Sequence, residues 1–425
     1  MGIILFGLLI VFFALGVPIA ISMGLASALA IWFDGGTPLI VLVQRSFTSI
    51  DSFPLMAIPF FILAGTLMEF GGISKRLIAF ANVLTGHFAG GLAIVTVVTS
   101  MFFAAISGSS AATTAALGSL LIPAMISRGY HRNFAGAVQA VSGELGVIIP
   151  PSIPLILYGV SAGVSIGDLF MAGMAPGILI GLALILTVYF ISKKRNYPKE
   201  ERKTSAEVWK AFKDAFLALL MPVIILGGIY GGIFTPTEAA GVAVAYAFIV
   251  GVFIYKEIKI KELLKIFINS AITTSTIMFI IASAGLFGWV LTREGVPQDV
   301  ATFLIGISDN PIVFLLVVNL FLIIVGMFME TNASIIILTP LLVPVAMQLG
   351  VDPVHFGIIM IVNLALGMCT PPLGINLFIA SEIAKIRLDQ ITRGMIPFYF
   401  VLVLVLLLVT YIPQISLFLP NLLND

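Results

Sequence analysis

Nine consecutive residues, Ile106-Ser107-Gly108-Ser109-Ser110-Ala111-Ala112-Thr113-Thr114, concentrate hydroxyl groups in a chain that is 60% hydrophobic and 10% charged. Glycine in such a run lets the backbone turn, which leaves carbonyls and hydroxyls without helical partners. At membrane depth those groups are tolerated only where they line a cavity or meet an ion or partner. A tight helix–helix interface also favours Gly, Ala and Ser, so this stretch alone leaves both readings open. A second element, Gly143-Glu144-Leu145-Gly146-Val147-Ile148-Ile149-Pro150-Pro151-Ser152, carries a different signal. Two successive prolines remove two amide donors and push the preceding residue out of the helical region, so a helix ends before Pro150. Gly367-Met368-Cys369-Thr370-Pro371-Pro372-Leu373-Gly374 makes the same break and adds the Thr370 hydroxyl. Unwound carbonyls and hydroxyls suit a hard monovalent cation such as sodium, and nearby half-helix N-termini suit an anionic substrate. A proline kink with a purely structural purpose explains one such break. For two in register it is the poorer explanation.

Ionisable residues within apolar runs are functional candidates by default. Glu144, Glu238, Glu330, Asp168 and Glu382 lie in or beside such runs. Asp168 and its counterpart Asp389 each precede an apolar helix, where N-capping is the expected role. Glu144 and Glu330 flank the breaks, as carriers of protons or modulators of ion affinity. Arg293, in Thr292-Arg293-Glu294-Gly295, is the basic residue of an outer turn and a candidate partner for a substrate carboxylate; a solvated pair with Glu294 is the commoner arrangement. Enzymatic chemistry has little support. His87, His131 and His355 have no metal-ligand spacing, and no GxxxxGK[ST] run exists, which excludes ATP hydrolysis by this chain. Ser107 and Ser109 have no Lys or His base in sequence reach. The single Cys369 excludes disulfides and Cys-based metal sites. A net charge of +1 gives nothing for a nucleic acid to bind.

The elements that carry the breaks are written twice. Residues 117–176 and 338–397 align without a gap, with Pro123/Pro344, Gly129/Gly350, Gly136/Gly357, Gly146/Gly367, Pro150/Pro371, Pro151/Pro372, Gly173/Gly394 and Pro176/Pro397 in common. Glycines and prolines mark backbone shape, so the duplicated object is three-dimensional. With a mean hydropathy of +1.18 the chain reads as an all-α polytopic membrane protein. Its first 33 residues are uncharged and long enough for an uncleaved membrane segment. Basic residues collect between Lys193 and Lys213 and again at Lys256–Lys265, which places both on the cytoplasmic side. Arg128, His131 and Arg132 of the first copy face Leu349, Asp352 and Pro353 in the second, whereas Val164, Ser165 and Ile166 face Lys385, Ile386 and Arg387. The basic end has switched. The repeats are therefore expected to be inverted, with re-entrant or broken helices at the centre. Three regions follow: 1–192 with the first repeat, 193–215 as a cytoplasmic basic loop and interfacial helix, and 216–425 with the second repeat. Ala206–Ala218, with Val208, Trp209, Phe212 and Phe216 on one face, supplies that interfacial helix.

Together with Gly231-Gly232-Ile233-Phe234-Thr235-Pro236-Thr237-Glu238-Ala239-Ala240, these stretches resemble the DctM-type large membrane subunit of tripartite ATP-independent periplasmic (TRAP) transporters, over essentially the whole chain. The resemblance implies a sodium-coupled symporter of the bacterial inner membrane. It would import an organic acid, of sialic acid or C4-dicarboxylate type, by an elevator motion of a transport domain against a scaffold. It also implies two partners, a smaller membrane subunit and a periplasmic binding protein. Two sodium sites are implied: Ser107, Gly146, Ile149 and Pro151 at the first break, and Gly326, Gly367, Thr370 and Leu373 at the second. Ser109, Ser110, Pro150, Pro371, Gly374 and Arg293 are the substrate candidates. Two departures stand out: Ala104 and Gly367 replace a Ser and a Thr of some relatives, and Glu144 stands where a neutral residue is expected. A channel-like or anchoring subunit without coupled transport is the alternative.

Overall fold

The computed structural model describes residues 2–307 and 310–424, and every regular element among them is helical. In chain order these are α1 (Gly2–Ala14), α2 (Ile19–Asp34), α3 (Ile40–Ile50), α4 (Ala57–Phe70), α5 (Ile73–Thr85), α6 (Gly91–Ser107) and α7 (Ser110–Ser127). There follow α8 (Arg132–Gly143), α9 (Leu145–Ile148), α10 (Ile153–Ala162), α11 (Ile166–Lys194), α12 (Ser205–Tyr230), α13 (Pro236–Phe248) and α14 (Ile260–Arg293). The last are α15 (Val296–Ile307), α16 (Pro311–Phe328), α17 (Thr331–Gln348), α18 (Pro353–Met368), α19 (Ile375–Ala384), α20 (Leu388–Tyr411) and α21 (Gln414–Asn424). Among the described residues nine helices are long and apolar enough to cross a membrane, ten if the bent pair α8–α9 and α10 counts as one span. This is a multi-pass membrane protein.

Caps explain where the helices begin. The Ser109, Ser152, Ser165 and Glu330 side chains accept backbone N–H groups at the starts of α7, α10, α11 and α17, satisfying donors that have no intrahelical partner. Several expectations change here. Ser165, three residues upstream, holds the cap expected of Asp168, because its hydroxyl accepts the Asp168 N–H at 3.2 Å. Asp389 likewise sits inside the first turn of α20, paired with Arg387 at 3.0 Å. Both carboxylates still favour the positive end of the helix. Glu238 closes a reciprocal capping box with Thr235 at the exposed start of α13, and Glu382 is exposed on α19. The amphipathic stretch 206–218 is no separate interfacial helix; with Thr204 and Glu207 capping it and no break before Pro222, it runs on into the 26-residue α12. The uncharged first 33 residues form two short helices joined at Gly16–Pro18.

Packing fixes which turns share an end of the molecule. The turn between α7 and α8 meets the central loop: Arg128 pairs with Glu200, Tyr130 stacks on Tyr197 at 4.4 Å, and the His131 N–H donates to the Tyr197 hydroxyl at 3.3 Å. Arg132 donates to the Ala384 carbonyl at 2.9 Å, which brings the α19–α20 turn to that same end. At the other end the Tyr158 hydroxyl of α10 donates to the Pro353 carbonyl at the start of α18 at 2.5 Å. Around this inner group run α2 and α3 against α14, with α1 on α2, α4 against α13, and α5 against α12. Phe80 and Phe212 join α5 to α12 with ring centroids 5.9 Å apart.

Candidate functional site

Ser107 closes α6, and Gly108 turns the chain at φ +59°, a conformation that favours glycine. A Cβ at 108 would also meet the Pro151 carbonyl at 3.1 Å, so the turn is pressed against the first proline break. Ser107 Oγ lies 2.8 Å from Thr113 Oγ1 and donates to the Ser109 carbonyl at 3.3 Å; Thr113 Oγ1 donates to the same carbonyl at 2.8 Å. Gly146 completes the cluster, since a Cβ there would fall 2.5 Å from Ser109 O and 2.6 Å from Thr113 Oγ1. Ser107, Gly146 and Pro151 are thus brought together around hydroxyl and carbonyl oxygens, a donor set that fits a hard cation. The Ile149 and Pro150 side chains point the other way, into α11, where Ile149 fills the space at Gly177 and Pro150 packs by Gly173, so Ile149 has only its main chain to offer the cluster. Both Pro-Pro bonds, 150–151 and 371–372, are cis.

The second break is built on backbone contact. A Cβ on Gly367 would fall 2.5 Å from Gly326 Cα, so α16 and α18 touch main chain to main chain. A threonine at 367 has no room in this packing. Thr370 Oγ1 donates back to the Leu366 carbonyl at 2.8 Å, while the Gly374 N–H donates to the Met327 carbonyl at 3.2 Å. Gly374 takes φ +55° with the Thr370 carbonyl close by, and Leu373 is 46% exposed. Gly326, Gly367 and Thr370 therefore cluster, with Pro371 and Leu373 at their outer edge.

A cavity of about 730 Å³ opens beside the first cluster. Ser107, Ser109 and Ala112 line one side, Glu330, Asn332 and Ala333 another, Lys265, Asn269, Thr273 and Thr276 of α14 a third, and Gly65, Thr66, Glu69 and Phe70 of α4 a fourth. Ser109 and Glu330 stand 221 residues apart, the spacing of the sequence repeat, and each is the N-cap of its helix. Two helix N-termini thus face one space, and at α17 the Glu330 carboxylate is itself the group at the positive end. Glu330 has a defined part in this: its carboxylate accepts the Asn332 and Ala333 N–H groups at 3.0 and 3.4 Å and the Asn332 amide at 2.7 Å. Lys265 is the basic group among the lining residues, and Glu69 and Glu330 are the acidic ones. The α14 wall escaped the sequence reading, although Lys265, Asn269, Thr273 and Thr276 form a polar stripe at helical spacing.

The remaining candidates fall elsewhere. Arg293 pairs with Asp34 at 3.3 Å and lies 5.7 Å from the Trp289 ring; at the far end of α14 it is about 42 Å along the axis from Lys265. Ser110 is buried behind the turn, its hydroxyl accepting the Asn376 amide at 2.6 Å. Pro150 is buried against α11, and Pro371 and Gly374 belong to the second cluster.

Known proteins agree with this architecture. Residues 6–415 match the model of the DctM component of tripartite ATP-independent periplasmic transporters. A protein of Oleidesulfovibrio alaskensis described as an isethionate TRAP transporter permease, DctMQ, is 48% identical over 98% of this chain, which spans 66% of that longer protein's length. The C4-dicarboxylate large permease DctM of Rhodobacter capsulatus is 40% identical over 100% of this chain and 99% of its own. The sialic acid large permease SiaM of Vibrio cholerae is 41% identical over 98% of each chain. Among solved structures the YdaH transporter of Alcanivorax borkumensis has the same fold, with a TM-score of 0.63 over 87% of this chain and 86% of its own, at 16% identity. With the family model matching nearly its whole length and relatives aligned end to end, this chain belongs to the DctM component family of TRAP transporters.

Proposed function

We propose that the chain is the large permease subunit of a sodium-coupled symporter that imports a small organic anion across the bacterial inner membrane. The observation that carries this reading is the convergence of the first oxygen cluster with the two capped helix N-termini on one cavity. One sodium site uses Ser107, Gly146, Ile149 and Pro151; the other uses Gly326, Gly367, Thr370 and Leu373. The anion lies between the caps of α7 and α17, with Lys265 as its counter-charge. Relatives named for isethionate, C4-dicarboxylate and sialic acid support an anionic substrate.

The repeats act as an inverted pair. Element boundaries support this, since α7 and α8 recur as α17 and α18 at a spacing of 221 and α10 and α11 begin again as α19 and α20 at 222. So do the two end contacts, Arg132 with Ala384 and Tyr158 with Pro353, which bring non-equivalent turns together. The inner group then moves as one body against a scaffold that includes α14, the elevator mechanism. Because the cavity reaches Lys265, beside the basic stretch from Lys256, this conformation is open to the cytoplasm. A small membrane subunit stabilises the scaffold, and a periplasmic binding protein delivers the anion.

The test is uptake into liposomes that contain the chain, its small subunit and its loaded binding protein. Uptake that needs an inward sodium gradient supports the symporter. Flux that is independent of sodium would favour a channel-like or anchoring subunit instead.

A further inference from the structure

Glu144 has no part in either sodium site above, yet it is 1% exposed at the junction of α8 and α9. No ion pair among the described residues includes it, and one of its carboxylate oxygens lacks a hydrogen-bond partner. An isolated carboxylate buried at this depth costs several kcal/mol unless a positive charge or a proton accompanies it. Among the described residues two contacts lead from its neighbourhood to buried oxygens and none to a cation: its chain neighbour Gly143 packs on Thr114, and Cys369, beside its carboxyl, accepts the Asn376 amide at 3.4 Å. Thr114 Oγ1 fills the position that a Cβ on the adjacent Gly143 would take, 1.8 Å away, and has no hydrogen-bond partner. Asn376 uses its amide N–H groups on Ser110 Oγ at 2.6 Å and the Ala140 carbonyl at 3.4 Å, which leaves Oδ1 buried and unpartnered. Gln139 donates to the Thr113 carbonyl at 3.3 Å, and its Oε1 is likewise unpartnered. Cys369, whose thiol neighbours the Glu144 carboxyl, donates to that same Ala140 carbonyl at 3.1 Å. Thr114, Gln139 and Asn376 are all fully buried.

A proton on Glu144 would satisfy one of these acceptors and leave the rest. A metal ion satisfies several oxygens together. One carboxylate among neutral oxygens balances a single positive charge, and no group of three acidic, His or Cys residues suited to a divalent ion occurs among the described residues. We propose that Glu144, Asn376 Oδ1 and Thr114 Oγ1 form a third cation site, for sodium, that joins the first break to Asn376 just beyond the second. This rests on the sodium-coupled reading above and adds one sodium per transport cycle. Cys369 and Asn376 flank Pro371-Pro372 while Glu144 immediately precedes Leu145–Pro151, so occupancy of this site holds the two breaks in register.

The experiment is equilibrium binding of radioactive sodium to the purified full chain in detergent. Wild type should bind three ions per chain at saturation, and Glu144→Gln, which keeps the shape and removes the charge, should bind two. Thr114→Val removes one oxygen at constant volume and should weaken one of the three ions roughly tenfold. It provides the same reading if Glu144→Gln does not elute as a folded species. No sodium binding by wild type would overturn the functional reading itself. Two ions in both wild type and Glu144→Gln, the result for a site filled by a proton, would overturn the third site alone.

Discussion

The two proline breaks share one sequence pattern but have different surroundings. Every residue from Leu145 to Gly159 is buried, whereas Pro372 and Leu373 of the second break are exposed. The difference traces to the equivalent glycines Gly173 and Gly394. A Cβ on Gly173 would strike the Ile148 carbonyl, so α11 presses on the first break. A Cβ on Gly394 would strike the Asn133 carbonyl, so α20 presses on the start of α8 instead. The same small residue seals one break and leaves the other open. A repeated sequence therefore fixes where the backbone bends, and its neighbours decide how tightly the bend is held.

The contrast can be broken most strongly by adding one methyl group. Gly146→Ala, with contacts of 2.5 and 2.6 Å to the oxygens of the first cluster, cannot be absorbed by a flexible side chain. Overpacking of this kind costs about 1–3 kcal/mol. Half-maximal uptake should then need roughly tenfold more sodium or more. Leu373→Ala at the open break should change that value less than about twofold. Equal effects would remove the distinction between sealed and open.

Hydroxyl removal sharpens the same comparison. Ser107 Oγ contacts Thr113 Oγ1 and the Ser109 carbonyl, whereas the Thr370 hydroxyl is spent on its own helix. Ser107→Ala should raise the half-saturating sodium concentration roughly tenfold and Thr370→Ala two- to threefold, on a scale of about 1 kcal/mol per hydrogen bond. Unchanged sodium dependence in both variants would sink the assignment of the breaks as sodium sites.

At the cavity, Lys265→Ala should raise the substrate concentration for half-maximal uptake roughly fivefold, while Arg293→Ala leaves it within about twofold. The reverse order, measured as initial uptake rates, would move the anion to the far end of α14.

The smallest effect belongs to the loop contact. Burial of Glu200 opposes ionisation, but hydrogen bonds from Arg128 and Asn82 outweigh it and hold its carboxyl below the usual range. A depressed folded-state value means that the contact stabilises the protein above the unfolded carboxylate range, and that this contribution fades as pH falls through the folded value. An exposed pair contributes about 0–1 kcal/mol. Arg128→Ala should lower the melting temperature by about one degree at pH 7 and by less at pH 4. A loss that grows on acidification would contradict the pairing.

Much of this arrangement was legible in the residues. Pro150-Pro151 and Pro371-Pro372 mark breaks because proline lacks the N–H a helix needs, a local rule that neighbours do not override. Thr235-Pro236-Thr237-Glu238 is a capping-box signature, so the structural role of Glu238 was also within reach. Ser165 in place of Asp168 was harder to foresee, since either side chain can cap and only the phase of the first turn decides. The α14 wall of the cavity was hidden for another reason. Its four polar residues look like scattered interruptions until α7 and α17 face them, and such convergence is a property of packing. The backbone contact of Gly326 with Gly367 is hidden in the same way.

Everything above depends on the two breaks being one element facing opposite sides of the membrane. Ser127 and Gln348 end α7 and α17 at equivalent, exposed positions. In a Cys369→Ser background, a single cysteine at 127 and, separately, at 348 can be challenged with an impermeant thiol reagent in right-side-out and in inverted vesicles. The account predicts that Ser127→Cys is labelled from the cytoplasmic face and Gln348→Cys from the periplasmic face; labelling of both from one face would contradict it.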